Sequence, residues 1–293
     1  MSGARFVRLD RSVTASRTSD VPAAEPVLAK ARHENFPVAL RVLPRTLRRR
    51  LEAIYGFARL VDDIGDELPG DREAALDWLE DDLRRAFRGE AEHPLLQRVT
   101  VLARETGVGD EPFRRLIEAN RIDQRKTAYA TWDELAEYCV YSANPVGELV
   151  LASLGAATPE RVRLSDDVCT ALQLAEHLQD VPEDLDRGRV YIPQEDLKRF
   201  DADPSARVAT PEWRALMAFE IRRTREYYAS ADTGLPMLPP SSARSIRAAR
   251  RLSAEILDRN ERAGGDVFSA RPRVPTARKA LVVGWSVVRP GVD

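Results

Sequence analysis

Between residues 172 and 193 the chain reads LQLAEHLQDVPEDLDRGRVYIP, and within it Glu176, Asp180 and Asp184 recur every four residues, about one turn of an α-helix. Like charges at that spacing destabilise a bare helix by about 0.2–0.5 kcal/mol per pair. This face therefore needs a counter-charge from elsewhere in the fold. Pro182 lies inside the row and has no amide hydrogen to donate, so the helix must kink or end near Leu178. Gln173 precedes the row by one turn.

A similar row stands earlier, in YGFARLVDDIGDE (55–67). Tyr55, Arg59, Asp62 and Asp66 fall at i, i+4, i+7 and i+11, on one helix face, while Leu51, Ile54 and Val61 lie off that line and can face a core. Acidic residues at i, i+4 are also common on solvated faces, and that explanation serves either row alone equally well. Two rows with arginine and aromatic neighbours favour function. Facing each other across a bundle, they would form a pocket of hard oxygen ligands with few imidazoles, which suits Mg2+ completing its shell with water and substrate phosphate. A metal-bridged diphosphate is a good leaving group. The carbocation it leaves behind requires apolar and aromatic surroundings that control water.

The rest of the sequence also reads as helices separated by short breakers. PRTLRRRLEAIYGFARLVDDIGDE and DREAALDWLEDDLRRAFRG are followed by segments opening near Pro94, Asp110, Thr131 and Thr158, with Asp71 and Thr131 as N-caps and Gly89 as a C-cap. Alternating strands, glycine fingerprints and phosphate loops are missing from the pattern, so the expected fold is all-α. Residues 1–28 are polar and aperiodic and are expected to be a mobile tail, with one folded domain over 29–288. The proline-rich GLPMLPPSS (234–242) is expected to connect two helices, the second running from about Ser242 to Arg262.

Net charge is only −2, which argues against a nucleic-acid partner. Its distribution is uneven: residues 1–50 carry eleven Lys or Arg against four acids, residues 241–293 eleven against five, and the middle is acidic. Basic ends suit solvation or a peripheral contact with an anionic membrane surface. The two cysteines, Cys139 and Cys169, have no paired spacing, and no apolar run is long enough to span a bilayer. The expected location is cytoplasmic, with a place at the inner membrane face left open.

The motifs ENFPVAL (34–40), YGFARLVDDIGDE (55–67), YATWDELAEYCVYSANPVGELVL (129–151) and LQDVPEDLDRGRVYIPQEDL (178–197) resemble the squalene and phytoene synthases, head-to-head prenyl transferases, over about residues 30–285. Within that family the SANPVG form is similar to the bacterial hopanoid-pathway hydroxysqualene synthases. The resemblance implies an all-α isoprenoid synthase, a single-domain helical bundle with a central cavity. It implies that Asp62, Asp66, Asp180 and Asp184 bind the Mg2+ diphosphate, with Arg59 and Arg189 contacting the diphosphate, Tyr138 lining the cavity and Tyr191 closing it. Glu176 stands where many relatives carry Asn and is expected to join the metal ligands. The implied substrates are presqualene diphosphate or farnesyl diphosphate, and partner enzymes of squalene synthesis fit the same picture. The leading expectation is ionisation of presqualene diphosphate and capture by water to give hydroxysqualene. The alternative is head-to-head condensation of two prenyl diphosphates.

Asn144, Pro145 and Gly147 read as a helix break beside substrate or as a packing kink. Tyr55 and Phe36 are pocket candidates, and Gln173 is expected to bind substrate. His177 is one position off the acidic face and reads as a supporting residue. Trp78, Trp132 and Trp213 read as packing anchors. Glu90 and His93 make the only Glu-x-x-His pattern, but Gly89 and Pro94 bracket them, and a di-iron bundle needs two such pairs.

Overall fold

The computed structural model describes residues 21–32, 43–232 and 240–275, and these are helical with no β-strand among them. In chain order the helices are α1 (Ala24–Ala29), α2 (Arg45–Asp62), α3 (Arg72–Arg88), α4 (Pro94–Thr106), α5 (Glu111–Arg125) and α6 (Trp132–Ser142). They continue with α7 (Asn144–Ser153), α8 (Pro159–Gln179), α9 (Val181–Asp186), α10 (Gln194–Phe200), α11 (Pro211–Asp232) and α12 (Pro240–Arg262). None of the described helices is long and apolar enough to cross a membrane.

The caps fall where the sequence puts them. Asp71 accepts from the Ala74 N–H at 2.9 Å and Thr131 from the Glu134 N–H at 3.3 Å, each satisfying an amide with no partner inside its helix. Gly89 ends α3 at a φ of 84°, a conformation that favours glycine. The tail expectation needs correction at its end: residues 24–29 form α1, and Val27 is fully buried. Gly56 on α2 leaves room for this packing, since a Cβ there would meet Leu95 Cδ2 at 2.9 Å and Leu28 Cδ2 at 3.2 Å. The 233–239 part of the proline-rich connection lies outside the described residues, as do Phe36 and the rest of ENFPVAL.

Two apolar cores result. One joins α1 to α5 through Phe57, Leu60, Leu79, Leu96 and Phe113, and the other joins α8 to α12 through Ala175, Trp213, Leu216 and Leu257. An aromatic layer of Tyr129, Tyr138 and Tyr191 forms a third cluster. Helices α7 and α8 cross closely at Gly147, where a Cβ would sit 2.3 Å from Ser165 Oγ and 2.6 Å from Cys169 Sγ. Beside that crossing Thr170 Oγ1 donates to Asn144 Oδ1 at 3.1 Å. At SANPVG the Asn144 side-chain oxygen, expected to bind substrate, is thus engaged with α8 beside the Gly147 crossing.

Two departures from regular helix shape the acidic rows. After Asp62 the backbone widens into a π-helical turn over Asp63–Glu67, closed by the Leu68 N–H to the Asp63 carbonyl at 2.9 Å. At the second row α8 ends at Gln179, Asp180 leaves helical geometry at φ −102° and ψ 13°, and α9 restarts with Pro182 in its first turn. The carbonyl that Pro182 cannot serve, that of Leu178, accepts instead from Asn260 Nδ2 on α12 at 3.0 Å.

Candidate active site

The first row projects from the end of α2 and the π turn. Asp62 accepts from Asn120 Nδ2 on α5 at 3.2 Å. Its carboxylate is open to solvent, yet the surrounding protein and the nearby Asp66 push its pKa up to about 7. Gly65 lets α5 come this close, since a Cβ there would meet Asn120 Oδ1 at 2.0 Å. Gln124 Nε2 donates to the Gly65 carbonyl at 3.0 Å and helps hold the turn.

The second row comes from the broken α8–α9 helix. Asp184 is buried, and burial together with Asp180 pushes its pKa up to about 8. Burial raises Asp180 to about 6, against the pull of Arg271. Arg271 holds Asp180 through Nε at 2.7 Å and Nη2 at 2.6 Å, in a bidentate fork.

Arg189 joins the two rows. Its Nη1 donates to Asp66 Oδ1 at 2.7 Å, and its backbone N–H donates to the Asp184 carbonyl at 2.8 Å. Arg187 Nη1 lies 3.7 Å from Asp66 Oδ2. The segment carrying Arg189 and Tyr191 runs extended along residues 127–130: the Val190 N–H donates to Thr127 at 2.8 Å and the Gln194 N–H to Tyr129 at 2.9 Å. This short pairing brings Tyr191 onto Tyr129 with ring centroids 5.8 Å apart, Tyr138 within 5.7 Å and His177 stacked at 3.9 Å. Burial lowers the His177 pKa to about 3, so the imidazole stays neutral, and its Nε2 lies 3.2 Å from Gln173 Nε2. A small cavity of about 10 Å3, water-sized, lies between His177, Asp184, Arg189 and Tyr191.

The expected residues divide accordingly. Asp184, Arg189 and Tyr191 line this space, Asp66 reaches it through Arg189, Tyr138 lies against Tyr191 and Gln173 beside His177, while Asp62 is held by Asn120 and Asp180 by Arg271. Arg59, expected at diphosphate, lies 2.7 Å from Asp63 and 2.9 Å from Glu67, while Lys30 reaches the same two carboxylates at 2.9 and 2.7 Å. Its guanidinium thus neutralises acids on the π turn. Tyr55 is half-buried on α2, one turn before Arg59. Glu176 stands on the last full turn of α8, where its charge acts on Tyr228 of α11. His93 caps α4, with Nδ1 accepting from the Leu95 N–H and Nε2 lying 3.1 Å from the Pro22 carbonyl oxygen.

Sequence reasoning missed Asn120, Asp123, Tyr129, Arg271 and Asn260. Asp123 accepts from Tyr138 Oη at 2.7 Å and from Tyr191 Oη at 3.1 Å, and burial pushes its pKa up to about 6. The signal available in the sequence was position: Asn120 and Asp123 are polar residues one turn apart on the α5 face that packs inward.

The donor set is all carboxylate, and the raised pKa values of Asp62, Asp180 and Asp184 mark negative charge that the protein alone compensates poorly. That fits a hard divalent cation such as Mg2+. Among the described residues no three His, Cys, Asp or Glu side chains are gathered around one point, and arginines hold Asp66 and Asp180.

The family model described as squalene/phytoene synthase matches residues 29–278. The chain belongs to the squalene/phytoene synthase family. Its fold is that of the squalene synthase HpnC from Alicyclobacillus acidocaldarius, with a TM-score of 0.76 at 43% identity over 86% of this chain and 97% of that one. A dehydrosqualene synthase solved in complex with a ligand shares the fold, with a TM-score of 0.79 at 22% identity over 93% and 96% of the two chains. The 15-cis-phytoene synthase of Synechococcus elongatus is 32% identical over 274 residues, 87% of this chain and 89% of the relative. As a squalene/phytoene synthase family member the chain is an isoprenoid synthase, an enzyme that acts on prenyl diphosphates.

Proposed function

We propose that this enzyme is a Mg2+-dependent hydroxysqualene synthase of squalene and hopanoid biosynthesis. It ionises presqualene diphosphate, lets the cyclopropylcarbinyl cation rearrange, and captures it with water to give hydroxysqualene and pyrophosphate. The observation that carries this reading is the cleft itself, where two aspartate rows linked through Arg189 end against a wall of tyrosines and a neutral histidine. The likeness to a squalene synthase HpnC supports it.

Asp62, Asp66, Asp180 and Asp184 would hold the Mg2+. When bound, the ion takes up negative charge that develops on the diphosphate as the carbon–oxygen bond breaks. Arg189 and Arg187 supply hydrogen bonds to diphosphate oxygens and keep the leaving group at the aspartate end of the cleft. Tyr191, whose ring lines the cavity beside Asp184 and Arg189 and is backed by Tyr129 and Tyr138, would supply the aromatic surface, and a cation near such a surface is stabilised by about 0.5–2 kcal/mol. His177 adds no competing positive charge, because burial keeps it neutral.

A second reading is condensation of two farnesyl diphosphates to presqualene diphosphate, or on to squalene or phytoene. It is favoured by the relatives named phytoene synthase. Product analysis by gas chromatography and mass spectrometry separates the two, with purified protein, Mg2+ and either presqualene diphosphate or farnesyl diphosphate, each with and without NADPH. Hydroxysqualene from presqualene diphosphate without NADPH is the expected result. Product from farnesyl diphosphate alone would move the enzyme to the condensation step.

A further inference from the structure

Tyr129 is 2% exposed, and its hydroxyl has no hydrogen-bond partner among the described residues, although a buried phenol normally finds one. The ring is packed between Tyr138 at 5.3 Å and Tyr191 at 5.8 Å, with Lys126 Nζ 4.7 Å from its centroid. Its two neighbours donate their own hydroxyl protons to the two oxygens of one carboxylate, that of Asp123. Three phenols and a carboxylate therefore meet behind Tyr191, whose ring lines the small cavity beside Asp184 and Arg189. Two phenols are oriented by the carboxylate, and the third's hydroxyl has no partner among the described residues.

Resting on the water-capture reading above, we infer that this group handles the quenching water: Tyr129 Oη positions it, and Asp123 receives its proton through Tyr138 or Tyr191. In the step, a lone pair of the water oxygen forms the new carbon–oxygen bond to the carbocation. An O–H bond of the resulting oxonium then breaks, leaving its electron pair on the alcohol oxygen. The proton goes to a phenol oxygen, and that phenol's own proton moves along the existing hydrogen bond to Asp123, which becomes a neutral acid. Charge balances within the site: cation, water and carboxylate give alcohol and carboxylic acid.

The electrostatic setting supports the assignment. The groups facing Asp123 are Tyr138 from α6, Arg189 and Tyr191 from the extended segment, Asp66 from the π turn and Asp62 from α2. The Tyr129 hydroxyl lies in the field of Asp123 and Arg189. Desolvation and Asp66 push the Asp123 carboxyl up to about 6 while Tyr138, Arg189 and Tyr191 pull it down. It is ionised and able to accept a proton above that pH and loses this capacity below it.

The test follows single-turnover reactions of presqualene diphosphate with the Mg2+-loaded enzyme. Pyrophosphate release and the ratio of alcohol to hydrocarbon products are measured separately for wild type, Tyr129→Phe, Asp123→Asn and Asp123→Glu. Tyr129→Phe keeps the stacked ring, so pyrophosphate release is expected to persist while the alcohol fraction falls about tenfold or more. Asp123→Asn is expected to slow alcohol formation by roughly 10²-fold, the low end of general-base effects, with Asp123→Glu restoring part of it. In wild type the alcohol fraction is expected to fall as pH drops and Asp123 is protonated, and in Asp123→Asn that dependence disappears. An unchanged alcohol fraction in folded Tyr129→Phe, or wild-type alcohol formation in folded Asp123→Asn, overturns the assignment while leaving hydroxysqualene synthesis standing. Absence of alcohol from wild type overturns both.

Discussion

Single residues at this site act through close approach. Gly65 is the clearest case, because any side chain there meets the amide that holds Asp62. Gly65→Ala is expected to push Asn120 aside at a cost of about 1–3 kcal/mol and to weaken Mg2+-dependent turnover more than tenfold. Thermal unfolding and steady-state kinetics check the two effects. Retained activity would mean that the α5 amide does not position Asp62. Arg271 acts in the opposite sense, as a charge occupying Asp180. Arg271→Gln is expected to tighten Mg2+ binding in the absence of substrate by up to about tenfold, or ~1.4 kcal/mol, measured by calorimetric titration. The four motif aspartates were legible in the sequence because helical spacing exposes them. Arg271 and Asn120 were not, since each reaches its aspartate through tertiary folding from 58 or more residues away.

At the level of elements, the two rows share a spacing but differ in backbone. The second is interrupted at Asp180, as Pro182 requires, while the first widens into a π turn that nothing in its apolar periodicity announces. Helix starts at Pro94, Thr131 and Thr158 could be read because proline and hydroxyl caps act locally. The π turn could not, because it depends on α5 packing against Gly65. Asn260 substitutes for the hydrogen bond that Pro182 cannot make, which predicts coupling between them. Asn260→Ala is expected to cost about 1–3 kcal/mol alone and clearly less in a Pro182→Ala background, where an amide hydrogen returns to that turn. A double-mutant cycle by denaturant unfolding measures the difference. Additive losses would show that the Leu178 carbonyl is not what links them.

For the whole molecule, four site carboxyls have pKa values raised to between about 6 and about 8. In the unfolded chain such groups titrate near 4, so between pH 4 and 8 the folded state binds more protons and loses stability as pH rises. The melting temperature of the metal-free protein is therefore expected to fall from pH 5 to pH 8. Mg2+ is expected to reverse most of that fall while releasing protons, detectable by titration in buffers of different ionisation enthalpy. A melting temperature independent of pH and Mg2+ would show that these carboxyls hold their ordinary values. The second row is also tied to the far end of the chain: Leu178 to Asn260, Gln179 to Pro272 and Asp180 to Arg271, across 82, 93 and 91 residues. Translation runs from the N-terminus, so a nascent chain has its first aspartates and its tyrosines emerged well before these anchors leave the ribosome. The second row therefore cannot be fixed until residues 260–272 have been made, and a product truncated before residue 260 would carry every motif aspartate without the anchors that hold that row.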